Sequence, residues 1–107
     1  MTAKLQVPAS VFAALGDETR LRLVAKLCRR QPRSISQLTK GSKLTRQAIT
    51  KHLRVLEKVE IVHSVRTGRE SVFRFDPEPI EAVRKYLDLV SAEWDQALAR
   101  LKAFVED

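Results

Sequence analysis

Residues 44 to 58 read LTRQAITKHLRVLEK, a run dense in hydrogen-bond donors. Lys and Arg carry donors only, Gln carries a donor and an acceptor, and Thr offers a hydroxyl with a methyl. Wound as a helix at 100° per residue, the stretch gathers Ile49, Leu53, Leu56, His52 and Val59 on one side. Gln47, Thr50, Lys51, Arg54 and Lys58 gather on the other, and none of these five is acidic. Thr45 and Arg46 stand at its N-terminal tip. This chemistry suits base edges and phosphates: Arg and Lys match the acceptors of guanine, Gln matches adenine, and the Thr methyl can meet that of thymine. The plainer alternative is a solvated amphipathic face, against which the missing acids argue.

Other chemistry is thinly represented. Zinc, cadmium or arsenic need several soft or imidazole ligands close together, and the chain offers only Cys28, His52 and His63. His52 falls on the apolar side of its helix, where a packed or hydrogen-bonded imidazole is the default. His63 falls in a β-prone run and could be surface or core. No metal and no cofactor is expected. Cys28 continues a Leu21, Val24, Leu27 stripe and is expected to fill core; the alternative is a redox-responsive thiol activated by Arg29 and Arg30. No nucleophile–base motif and no Gly-rich phosphate loop occurs, so no enzyme is expected.

These side chains must be positioned by a small chain. Its 107 residues suit a single domain spanning 1–107. Pro8 can open a first helix on Val11, Phe12 and Leu15, with Gly16 ending it. Asp17 is a good N-cap for a second helix, which Pro32 stops. Ser34 stands three residues before Gln37, the spacing of a capping box, so a short third helix starts there, anchored by Ile35 and Leu38. After Gly41, Thr45 caps the fourth. Two short helices joined by a turn, the second with a donor-rich face, form a helix-turn-helix. IVHSVRTGRESVFRF, residues 61 to 75, is a hairpin about Gly68, with Arg66 and Arg69 at its tip, able to reach the sugar-phosphate backbone or minor groove.

Charge divides the chain unevenly. The net charge is +7, yet between Glu18 and Glu57 there are eleven basic residues and no acid, whereas from Asp76 onward eight acids face four bases. A one-signed central block points to an anionic partner, with double-stranded DNA first. The tail faces something else. Ile80, Val83, Leu87, Val90, Trp94, Ala97, Leu101 and Phe104 advance in steps of three and four, a heptad seam too long for a small domain to hide by itself. A second copy is the natural cover, with Trp94 as an anchor; the alternative is that the helix packs on its own domain, Leu89 and Leu98 widening the stripe. No apolar run is long enough to span a bilayer, MTAKLQVPAS lacks a signal peptide's apolar core, and one Cys fits a reducing cytosol. A cytoplasmic protein without a membrane partner is expected.

FAALGDETRLRLVAKL, followed by SISQLTKGSKLTRQAITKHLRVLEKVEIVHSVRTGRESVFRFDP, resembles the winged helix-turn-helix of the ArsR family of bacterial transcriptional regulators. The resemblance covers nearly the whole chain. It implies a mainly α fold of about five helices with a two-stranded β-hairpin wing, and a homodimeric prokaryotic repressor. By position, Thr45, Arg46, Gln47, Thr50, Lys51 and Arg54 would read DNA, and Arg66 and Arg69 would be wing contacts. The first and last helices would form the dimer interface, through Phe12, Leu87, Val90, Trp94, Ala97, Leu101 and Phe104. Metal-sensing members typically carry a Cys-x-Cys pair at the third helix, where this chain has Ser34 and Ser36. Others bind zinc through His and carboxylate pairs on the last helix, where this chain has no His. The function expected is a regulator that binds a palindromic, inverted-repeat operator through the major groove; the alternative is a winged helix that binds an acidic protein.

Overall fold

Capping side chains divide the chain into its elements. The computed structural model describes residues 9–29 and 32–106; Pro8 and Arg30 lie outside them. Helix α1 (Ala9–Leu15) breaks at Gly16. Asp17 then opens α2 (Glu18–Arg29), its Oδ2 accepting the Arg20 amide at 3.0 Å. Before α3 (Ile35–Thr39), the Ser34 hydroxyl accepts the Gln37 amide at 3.1 Å while Gln37 Oε1 accepts the Ser34 amide at 2.9 Å. That is the capping box its spacing predicts. Gly41, at φ 81°, takes the left-handed turn a Cβ would disfavour. Thr45 Oγ1 accepts the Ala48 amide at 3.1 Å and starts α4 (Arg46–Lys58).

The exit from α4 is equally specific. Glu60 N donates to Glu57 O at 2.9 Å and Ile61 N to Leu56 O at 3.0 Å, the paired bonds of a Schellman motif. Leu56 and Ile61, both fully buried, supply its apolar clasp. Glu60 occupies the left-handed position, at φ 65°, where glycine is usual.

The wing is β2 (Val62–Thr67) and β3 (Glu70–Phe75), antiparallel with Thr67 opposite Glu70. Gly68 at φ 64° and Arg69 make a two-residue turn with glycine first. The sheet has three strands rather than two. A two-residue strand β1, Arg33–Ser34, pairs with β3 through Arg33 with Phe73 and Ser34 with Val72, giving the order β1-β3-β2. Two residues between Pro32 and a helix carry no alternation to reveal them; tertiary pairing alone makes them a strand.

Leu23, Val24 and Leu27 of α2, Ile35 and Leu38 of α3, Ile49, Leu53 and Leu56 of α4, and Ile61, Val62 and Phe73 at the wing base form the core. The expected α2 stripe holds at Val24 and Leu27 but fails at its two ends: Leu21 is half exposed and Cys28 is exposed. Arg20 supplies the reason. It takes the inward position one turn before Leu23 and Val24, donating Nε to Ala14 O and Nη1 to His52 Nδ1 at 3.2 Å. In α1, Val11 and Ala14 are buried, and Phe12 and Leu15 pack at the margin.

Helix α5 (Glu78–Glu106) has 29 residues, about 43 Å at 1.5 Å each. Only its start belongs to the core: Val83 is buried, Ile80 packs against it, and Tyr86 meets Phe12 edge-on at 5.9 Å. Beyond Tyr86 the apolar seam is bare, with Leu87 50%, Trp94 63%, Leu101 58% and Phe104 80% exposed. The helix does not fold back on its own domain, and the molecule measures 68 × 34 × 21 Å.

Candidate nucleic-acid interface

The tip of α4 is held from two sides. Thr45 satisfies the first turn of the helix, and Arg46 Nη1 donates to Ser36 Oγ on α3 at 2.7 Å. The Ser36 hydroxyl thus ties α3 to α4, the two helices of the helix-turn-helix. Beyond the tip, Gln47 and Lys51 are exposed and free of intramolecular side-chain bonds among the described residues. Thr50 is half-buried, and its hydroxyl donates back to Arg46 O at 2.8 Å, leaving the oxygen lone pairs and methyl for a partner.

Arg54 differs from expectation. It lies on the exposed side, but its Nη1 sits 2.7 Å from Glu57 Oε1 and its guanidinium lies 6.0 Å from the Phe73 ring centroid. Glu57 Oε2 accepts the Ser64 hydroxyl of β2. The hydroxyl bond first, and the Arg54 contacts next, hold the Glu57 carboxyl below its ordinary range, so it stays ionised. The donor face thus has a built-in acid at its edge, which buckles the helix to the wing. The helical wheel could not show it, because Ser64 belongs to β2 and meets Glu57 only in space.

At the hairpin tip Arg66 and Arg69 are exposed, flanking Gly68. At its base His63 Nε2 lies 2.8 Å from Asp76 Oδ2, while Asp76 Oδ1 accepts the Glu78 amide at 3.0 Å. Those two bonds, the backbone one first, depress the Asp76 carboxyl and join the wing to the start of α5. His52 is hydrogen-bonded as expected. Asp17 Oδ2 lies 3.7 Å from the same Nδ1, and because an arginine can only donate, Nδ1 is the acceptor of the Arg20 bond. Arg20, His52 and Asp17 are structural: they join α1, α2 and α4 behind the reading face.

Comparison with known proteins decides the family. The model for "Bacterial regulatory protein, arsR family" matches residues 17–64, from the N-cap of α2 into β2. YuzN, an HTH-type transcriptional regulator of Bacillus subtilis (strain 168), is 38% identical over 82 residues, 71% of this chain and 89% of that one. The chain belongs to the ArsR family. An ArsR-like transcriptional regulator from Rhodococcus sp. RHA1 has a solved structure 40% identical in sequence, with TM-score 0.76 over 95% of this chain and 92% of that one. At 22% identity, TM-score 0.61 and 82% and 78% coverage, the homodimeric winged helix-turn-helix DNA-binding domain Mb0332 from Mycobacterium bovis shares the fold.

This ArsR-family chain is therefore a transcriptional regulator with a winged helix-turn-helix DNA-binding domain, and not an enzyme. Among its described residues, no three His, Cys, Asp or Glu side chains converge as a metal site requires, and no helix is long and apolar enough to cross a membrane. Cys28 is not core filling. Partial burial pushes its thiol up, outweighing Arg29, so the structure gives no activated thiolate.

Proposed function

We propose that the regulator is a homodimeric repressor of the prokaryotic cytoplasm, which binds an inverted-repeat operator through the major groove. In this reading the whole chain acts as one domain, α1 and α5 forming the dimer. Thr45, Arg46, Gln47, Thr50, Lys51 and Arg54 face the bases and flanking phosphates. Arg66 and Arg69 reach the backbone or minor groove beside them. Phe12, Leu87, Val90, Trp94, Ala97, Leu101 and Phe104 meet the second copy.

The observation that carries the reading is the free donor pair Gln47 and Lys51 on a helix whose tip is pinned by Ser36 and Thr45. A rigid, donor-rich face one helix wide, its one acid held at the edge by Arg54 and Ser64, fits the major groove. Support for the dimer comes from the bare α5 seam and from the homodimeric state of Mb0332. Two copies related by a two-fold axis would set their α4 helices about 34–36 Å apart, one turn of DNA.

Selection from sheared genomic DNA at physiological salt, followed by sequencing of the retained fragments, tests it. Enrichment of an inverted repeat upstream of a few genes is the expected result. Uniform retention of all fragments would reduce the surface to a general cation and remove the operator.

A further inference from the structure

A cleft of about 410 Å³ opens between α2 and the turn that joins α3 to α4. We infer that it is a binding site for a small aliphatic carboxylate, whose hydrocarbon body lies on a leucine and isoleucine floor and whose carboxylate meets Lys26 and Lys43. This site is separate from operator binding and from the proposed dimer, and depends on neither.

The sequence builds the cleft from two walls. Thr19, Arg22, Leu23 and Lys26 stand three or four positions apart in alternation, so they share one face of α2. Opposite them, Gly41 at φ 81° turns the chain out of α3, and Ser42 N closes the turn on Thr39 O at 2.9 Å. A Cβ placed on Gly41 would meet nothing within 4 Å, so the turn stands clear of α2. Leu23, Leu38 and Ile49, all buried, form the floor, and Leu44, 37% exposed, carries the apolar lining to the surface.

Size and chemistry name the occupant. The volume lies within the range of about 300–1,000 Å³ of ordinary small-molecule sites, and at about 30 Å³ per water-sized group it holds on the order of a dozen heavy atoms. The floor is aliphatic, with no aromatic ring to stack a planar ligand, so it suits a hydrocarbon chain. No acid is among the described residues that line it. Arg22 is already neutralised, its Nη2 2.6 Å from Glu18 Oε2. Lys26 and Lys43 have no ion pair among the described residues, and an ammonium on a flexible four-carbon stem can swing to a carboxylate. Ser42 Oγ accepts the Leu44 amide at 3.0 Å, which leaves its O–H to donate. A single carboxylate is the counter-charge that this rim lacks.

The DNA duplex is not that anion. Ile49 stands two residues from both Gln47 and Lys51, about 200° round the helix from each. A duplex docked on the donor face therefore lies on the far side of α4 from the cleft floor. A small occupant rests on the reading head as a body, through Leu38 and Ile49, and requires no hinge within it.

Octanoate titrated into the isotope-labelled full chain, followed by nuclear magnetic resonance, tests the site. Saturable shifts are expected at the Gly41 and Ser42 amides and at the methyls of Leu23, Leu44 and Ile49. Octanol, with the same chain and no charge, should bind about ten-fold more weakly, and acetate, with the charge and no chain, should not saturate the cleft. Lys26→Glu combined with Lys43→Glu should weaken octanoate by about ten-fold or more while amide positions away from the cleft stay unchanged. Lys26→Glu alone, with a smaller loss, serves if the pair fails to fold. No saturable shift in the cleft, shifts confined to the bare seam of α5, or equal affinity for octanol overturns the site. Inorganic phosphate binding as tightly as octanoate overturns the aliphatic occupant, and wild-type octanoate affinity in a folded variant overturns the lysine contacts.

Discussion

Glu60 sits in the left-handed region at φ 65°, the position of the α4 Schellman motif that glycine fills without strain. Replacing it with Gly should stabilise the protein. An L-residue in that conformation costs about 1–2 kcal/mol, while glycine loses about 0.5–1 kcal/mol of chain entropy on folding. The difference leaves a gain of about 0.5–1 kcal/mol. With unfolding entropy near 2.1 cal/mol/K per residue, 107 residues turn that gain into a rise in Tm of about 2–4 °C. Urea unfolding at fixed protein concentration measures it: the midpoint should rise with an unchanged slope. Glu60→Ala is the control, because it removes the carboxylate and keeps the Cβ. An equal gain from Ala would make charge the cause, and no gain from Gly would refute the strain.

Three further outcomes follow from the interface. Lys51→Ala should flatten the salt dependence of DNA binding by about one phosphate contact, whereas Gln47→Ala should relax discrimination at one base pair by about 1–3 kcal/mol; fluorescence anisotropy on matched and mismatched duplexes separates them, and two identical profiles would contradict the assignment. Gly68→Val should weaken operator binding at an unchanged apolar core. Open space surrounds that position, so the cost is the φ of 64° alone; equal affinity would dissociate the wing from DNA. Glu57→Gln should free Arg54 and steepen the salt dependence by about one unit, at a stability cost of at most about 1 kcal/mol. The Glu57 carboxyl is depressed in the folded state. Its contribution is therefore present above the ordinary carboxylate pKa and is lost as pH falls through the folded value. The stability gap between wild type and Glu57→Gln should close in acid, and a gap constant down to about pH 3 would rule out the ion pair.

What the sequence revealed was mostly local. The Ser34–Gln37 box, the Thr45 cap and the Gly68 turn each depend on residues within a few positions, and each appears as its spacing predicts. The α5 seam is likewise a matter of steps along one helix. Phase in α2 was legible at Val24 and Leu27, but the inward turn of Arg20 was not, because it bonds α1 carbonyls and His52, partners that composition cannot display. Nor was the Arg54–Glu57–Ser64 buckle, which exists only once the wing is laid beside α4. The turn after α4 carried no glycine to announce it: Glu60 holds its left-handed position, and the turn forms regardless.

Ser34 performs two tasks with one residue. Its backbone pairs with Val72 of the wing, while its hydroxyl and amide close the capping box of α3. With Arg46 tied to Ser36 and Glu57 tied to Ser64, wing, α3 and α4 are spliced into a single reading head with little internal slack. An inducer would find no hinge inside such a head to bend. In the homodimer proposed above, the freedom left to regulation would lie between heads, in the angle at which the long shaft of α5 carries two of them, and the spacing between half-sites would be the quantity a signal tunes.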